Sequence, residues 1–178
     1  MHNSELLEEC ELFKIQKIDD YPQQIGHLIS LMNYARITTF DAVEGLSISE
    51  LDFLIDEKAN SIGMLLLHIA SVEEIYRVYT LEGRKTTDAE SKKLEAALEL
   101  GDLGREKIKD NSLDYYLDNL SRVRKKSLEG LKNVEDSWLY EETDFWDNKM
   151  ANNYFKWFHV LEDEINHRGQ IRFIKKRI

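Results

Sequence analysis

Apolar residues recur along this chain at three- and four-residue steps, and no stretch alternates convincingly with a period of two. That spacing predicts helices. Leu28, Leu31, Met32, Ala35 and Thr39 mark a first helix over about 22–44. Pro22 suits its first turn, where the missing N–H would be unpaired anyway, and Gly45 stops it. Residues 46–58 read as a connection with one turn near Ser49–Leu54. Asn60 or Ser61 caps a second helix that runs to about Leu81 and ends at Gly83. Its apolar positions, among them Ile62, Leu65, Leu66, Ile69, Val72 and Tyr76, cover a wide face, so it is expected to be largely buried.

A polar excursion follows over 84–112, with a short helix at Asp88–Leu98 and a loop at Leu100–Gly104. So long an excursion between core helices is uncommon unless it does something, such as capping a pocket. A third helix spans about 113–132, with Tyr116, Leu120, Val123 and Leu131 inward. An aromatic connector over 133–149 carries Trp138, Phe145 and Trp146, and a last helix covers about 152–175. Residues 1–20 read as an arm or short helix. The expectation is one all-α domain over 1–178, a four-helix bundle with long connections between helices 2 and 3 and between helices 3 and 4.

Composition narrows the partners. The chain has 178 residues, 42% apolar and 33% charged, enough to bury a core. Its net charge of −10 disfavours nucleic acid, whose binding grooves need a basic excess. Cys10 is alone, which excludes an internal disulfide and fits a reducing cytoplasm. The acidic first twenty residues do not resemble a leader, and the longest apolar run, Met64 to Leu67, is far short of a membrane span. A cytoplasmic protein without membrane contact is expected.

The histidines carry the candidate chemistry. His2 falls in the arm, and His27 reads as a surface or capping residue. In the last helix His159, Asp163 and His167 stand at i, i+4 and i+8, a ridge drifting only about 40° per step. Side chains four apart stack one turn above another and can grip one metal. A third ligand would come from another helix, and His68, set in the most apolar stretch of the chain, is the natural candidate. Imidazole and carboxylate are ordinary ligands for zinc, iron, manganese or nickel. The competing reading is a solvated polar stripe with a hydrogen-bonded core histidine. Tyr76, Tyr79 and Trp157 are candidates for a pocket lining. Arg168 is expected to pair with Glu164 or with a carboxylate of another subunit, Gly169 to admit a close helix, and Gln170 to bond a ligand or water. No side chain is singled out as a catalytic base.

These residues also carry a resemblance. His167-Arg-Gly-Gln-Ile171, preceded by His159 and Asp163, resembles the last-helix signature of the DinB-like superfamily of metal-binding four-helix bundles. Asn60-Ser-Ile-Gly63, followed by His68-Ile-Ala70, resembles its second-helix motif, and Gly45-Leu46-Ser47 its usual connector. Tyr115-Tyr116, Trp146 and Asn153–Trp157 resemble a subgroup of unknown function. The likeness covers about residues 22–175. It implies an up-down-down-up bundle, often a homodimer, with metal ligands His68, Asp163 and His167. Asp163 stands where the more familiar version has histidine, which gives the site a harder character; His159, one turn away, is held as a substitute ligand. Asn166 replaces a histidine that often stands beside the final ligand. The implied cofactor is a divalent ion (zinc, nickel, iron or manganese). The implied activity is a metal-dependent thiol S-transferase or hydrolase acting on a small electrophile, with a low-molecular-weight thiol such as bacillithiol or mycothiol as partner. The alternative is a non-catalytic stress-response or scaffold dimer with a relict or structural metal site.

Overall fold

The computed structural model describes residues 12–178. Most of the expected arm, with His2 and Cys10, lies outside the described residues. Residues 12–20 form turns and extended chain without a helix. They lie along the first helix closely enough that a Cβ on Gly26 would meet the Ile18 backbone nitrogen at 2.6 Å.

Among the described residues there are seven α-helices: α1 Gln23–Val43, α2 Ile48–Leu51, α3 Ile62–Thr80, α4 Asp88–Glu99, α5 Gly101–Lys107, α6 Leu113–Leu131 and α7 Asn153–Lys175. The chain is therefore mostly helical, as its periodicity requires. α1 packs on α7 and α6, and α3 packs on α6, α7 and α4. Ser61 is the cap of α3, accepting from the Met64 N–H at 3.3 Å. Asn60 instead accepts from the Gly101 N–H at 3.1 Å and ties the start of α3 to the start of α5.

Two segments differ from expectation. Leu100–Gly104 is not a loop: the chain turns through positive φ at Leu100 and Gly101 and enters α5. Gly104 is there for closeness, since a Cβ would lie 2.6 Å from the Met64 methyl. The aromatic connector contains a small antiparallel hairpin, β1 Glu142–Asp144 with β2 Met150–Asn152, Thr143 facing Ala151. Strands of three residues are too short to show alternation.

The core has two apolar clusters. One gathers Phe40 and Val43 of α1, Leu65 and Ile69 of α3, Tyr116 and Leu120 of α6, and Ile171 of α7. The other gathers Leu28 and Met32 of α1, Val72 and Tyr76 of α3, Leu131 of α6, and Trp157 and Leu161 of α7. Each of these four helices carries a buried charge close to where one cluster gives way to the other: Arg36, Glu73, Arg124 and Glu164. Arg36 donates to Glu73 at 2.8 Å and to Glu164 at 2.9 Å; Arg124 donates to Glu73 at 2.8 Å and to Glu164 at 3.2 Å. Nη1 of each arginine donates to a main-chain carbonyl, that of Leu120 from Arg36 and that of Met32 from Arg124. No helix is long and apolar enough to cross a membrane among the described residues.

Candidate metal centre

His68 lies two turns into α3, and Asp163 and His167 lie one turn apart on α7, which packs against it. The three side chains converge. His68 Nε2 is 3.6 Å and His167 Nε2 is 3.3 Å from the same Asp163 oxygen, Oδ1. The two imidazoles meet edge to face with ring centres 4.7 Å apart. Each side chain is only 13–14% exposed.

This geometry suits a cation. Ligand bonds of about 2.0–2.1 Å in a tetrahedral site place donors about 3.3 Å apart. One ligand atom from each of the three residues lies within 4.8 Å of the others, and the group could hold a metal ion. Asp163 Oδ2 and His167 Nδ1 are buried with no hydrogen-bond partner among the described residues. Buried polar atoms are rarely left so without a reason. His68 is oriented from behind: its Nδ1 lies 2.8 Å from the Ala97 carbonyl oxygen of α4. A carbonyl only accepts, so Nδ1 carries the proton and Nε2 presents its lone pair to the centre. Such outer contacts fix the tautomer of a metal-binding histidine.

The charges are mutually supporting. Burial alone would raise the Asp163 carboxyl, but contacts with His167 and His68 outweigh it and hold the group far below the usual carboxylate range. Burial alone would lower the His68 imidazole, but Asp163 and the Ala97 carbonyl outweigh it and hold the ring above its ordinary value.

Beside the centre is a cavity of about 520 Å³ reached by His68 and Asp163 and walled by Val72, Tyr76, Leu98, Phe145 and Trp146. That volume suits a small organic ligand. His159 also lines it, with its ring 5.8 Å from Tyr76 and 5.0 Å from Trp146, and its Nδ1 3.4 Å from Glu162. It is therefore at the cavity wall and outside the convergent trio. The hairpin supplies the aromatic cover. Phe145 stacks on Trp146 at 4.7 Å, and Tyr79 donates to the Asp144 carbonyl at 2.7 Å. Buried Lys156 of α7 anchors the hairpin, donating to the Ala151 carbonyl at 2.9 Å and to Thr143 Oγ1.

Several expectations are corrected. Trp157 does not line the cavity: it is fully buried in the core, donating from Nε1 to Thr80 at 3.0 Å. Arg168 does not bond Glu164, which is turned to Arg36 and Arg124; it donates to Thr38 Oγ1 and lies over the Tyr34 ring. Gly169 faces open space, and Gln170 is exposed. The Ala97 carbonyl and Leu98 carry no signal as functional residues in the sequence, because one is main chain and the other an ordinary leucine. Phe145 and Trp146 were visible as an aromatic pair, without a turn position that would aim them at the centre.

A family model described as Mycothiol-S-transferase matches residues 27–178. No curated protein matches the chain.

Proposed function

The chain belongs to the mycothiol S-transferase family, within the DinB-like superfamily, and from that premise we propose a metal-dependent transfer of a low-molecular-weight thiol to a small electrophile. The convergence of His68, Asp163 and His167 beside an aromatic-lined cavity is the observation that carries this reading. A divalent ion held by these three residues would supply Lewis acidity, favouring the thiolate form of a thiol at neutral pH. His68 offers Nε2 because Ala97 holds its other nitrogen. Asp163 brings one negative charge that offsets part of the cation's. Tyr76, Leu98, Phe145 and Trp146 exclude water from the electrophile and position its apolar part. The thiolate sulfur attacks the electrophilic carbon, an S–C bond forms, and the carbon–leaving-group bond breaks with its electron pair on the leaving group. The thiol proton passes to solvent through the open side of the cavity.

The same reading takes the whole chain as one domain and the four long helices as an up-down-down-up bundle. The two core clusters support this direction. The N-terminal halves of α1 and α7 share one cluster, and those of α3 and α6 share the other. α3 and α6 then run parallel, which requires a connection that returns the length of the bundle, and α4 and α5 lie in that connection. Exposed Leu31 and Tyr34 of α1 and Phe158 and Ile165 of α7 support a homodimer.

The test is elemental analysis of untagged protein beside the His68→Ala/His167→Ala variant, followed by transfer of mycothiol to a haloalkyl-aromatic electrophile. Near-stoichiometric metal in the parent, none in the variant, and transfer only by the loaded parent are expected. Equal metal content in both proteins would sink the ligand assignment. Loaded protein without transfer would sink the reaction.

A further inference from the structure

A second cavity, of about 330 Å³, lies between α3, α4 and α6. It has room for about ten water-sized groups. Its floor is apolar, formed by Leu67, Ala70, Val78, Leu94 and Val123, of which Ala70, Val78 and Val123 are buried. Two carboxylates line it, and both are already engaged by arginines outside it. Glu74 accepts from Arg77 at 3.0 and 3.2 Å, and Glu90 accepts from Arg84 at 2.8 Å on each oxygen. Glu82 bridges the two guanidiniums, accepting from both.

Three cations also line this cavity: Lys93 from α4, and Arg122 and Lys126 from α6. Lys126 is 3.5 Å from Glu74, and Arg122 donates to Asn119 at 2.8 Å. Lys93 has no ion-pair partner among the described residues. The lining itself carries two carboxylates, both engaged by arginines, and three cations, one positive charge more than negative, in a chain whose net charge is −10. A cationic mouth over an apolar floor matches an anion with a short hydrocarbon tail. Charge attracts the head, and the floor removes the tail from water.

We infer that this cavity is a second small-molecule site, for a short amphipathic acid such as a medium-chain carboxylate, with its head between Lys93 and Arg122 and its tail along Leu94 and Val123. The site is separate from the candidate metal centre. α4 stands between them, with Ala97 lining this cavity while its carbonyl oxygen accepts from His68.

The test uses octanoate as probe on the full chain, with titration calorimetry for affinity and amide shifts for location. One equivalent is expected to bind saturably and to move the amides of Ser71, Leu94 and Asn119 ahead of those of Asp144 and Trp146. Octanol and octylamine are expected to bind about tenfold more weakly or worse, because octanol has no charge to pair with the cations and octylammonium carries a positive charge that they repel. Lys93→Glu/Arg122→Glu, both at exposed positions, should weaken octanoate about tenfold or more while metal content is unchanged. Lys93→Gln alone, the milder change, should weaken it by a smaller factor in the same direction. The inference is overturned by absence of saturable binding, by octanol binding as tightly as octanoate, by shifts confined to the aromatic cavity, or by charge variants that bind as the parent does.

Discussion

Replacing Glu164 by glutamine would remove one of the two carboxylates that neutralise Arg36 and Arg124. Glu164 accepts from Arg36 Nε at 2.9 Å, from Arg36 Nη2 at 3.1 Å and from Arg124 Nη2 at 3.2 Å. All four side chains of the quartet are at most 2% exposed. The stranded guanidinium can neither reach water nor give up its proton. Breaking a buried ion pair from one side costs about 3–5 kcal/mol. Glutamine keeps one acceptor oxygen in place, so the lower figure, about 3 kcal/mol, applies. A chain of this size loses about 2–4 °C of melting temperature per kcal/mol, so the midpoint should fall by about 6–12 °C. Urea unfolding followed by far-ultraviolet circular dichroism reads the loss directly, provided the slope is unchanged. The companion variant replaces the whole quartet at once, Arg36→Met, Glu73→Leu, Arg124→Met and Glu164→Leu, and should stay within about 2 kcal/mol of the parent because no charge is stranded. A Glu164→Gln loss of less than about 1 kcal/mol, the range of an exposed pair, would refute the reasoning.

The same quartet sets an acid limit. Burial would raise the Glu73 carboxyl, but Arg124 and Arg36 outweigh it and hold it at about 2, so its contribution is present above the ordinary carboxylate value and is lost as pH falls from about 4.5 toward 2; acid unfolding monitored by circular dichroism checks this. His68, held above its ordinary value, has the opposite sign: in metal-free protein its contact with Asp163 stabilises below about pH 6.5 and is lost as pH rises through the raised value, while metal affinity measured by competition with a chelator rises over that window. Gly63→Ala would set a Cβ 2.5 Å from the hydroxyl of fully buried Tyr116, and a loss of about 1–3 kcal/mol in urea unfolding is expected. Trp146→Ala, at a position 60% exposed, should change stability by less than about 0.5 kcal/mol yet raise KM for an aromatic electrophile severalfold.

The four long helices were legible because each carries several turns of periodic apolar residues between recognisable caps, and their ends fall within about two residues of the expected positions. The three candidate ligands were legible for a related reason: two stand four apart on one helix, and the third is a histidine in an apolar run. The quartet was harder to see. Arg36, Glu73, Arg124 and Glu164 fall at core-facing positions of their helices, but a charge at one such position is ordinarily discounted as a surface residue, and only the matching charges on three other helices make it sensible. α5 was hidden by its glycines, which usually break helices; here Gly101 supplies the positive φ of the turn into the helix and Gly104 admits the close Met64 methyl. The hairpin was hidden by its length.

One consequence follows from the way His68 is held. Its Nδ1–H is bonded to a main-chain oxygen, so the contact belongs to the path of α4 and not to the identity of residue 97. Point substitution over 88–99 can redecorate the exposed side of that helix while leaving the carbonyl where it is. A single-residue insertion or deletion in the same stretch would rotate α4 by about 100° and swing the carbonyl away. The lineage of such a protein is thus free to drift in letters along this segment but not in length, and gap-free stretches of homologous chains, more than identical ones, would mark the helix that keeps the histidine in place.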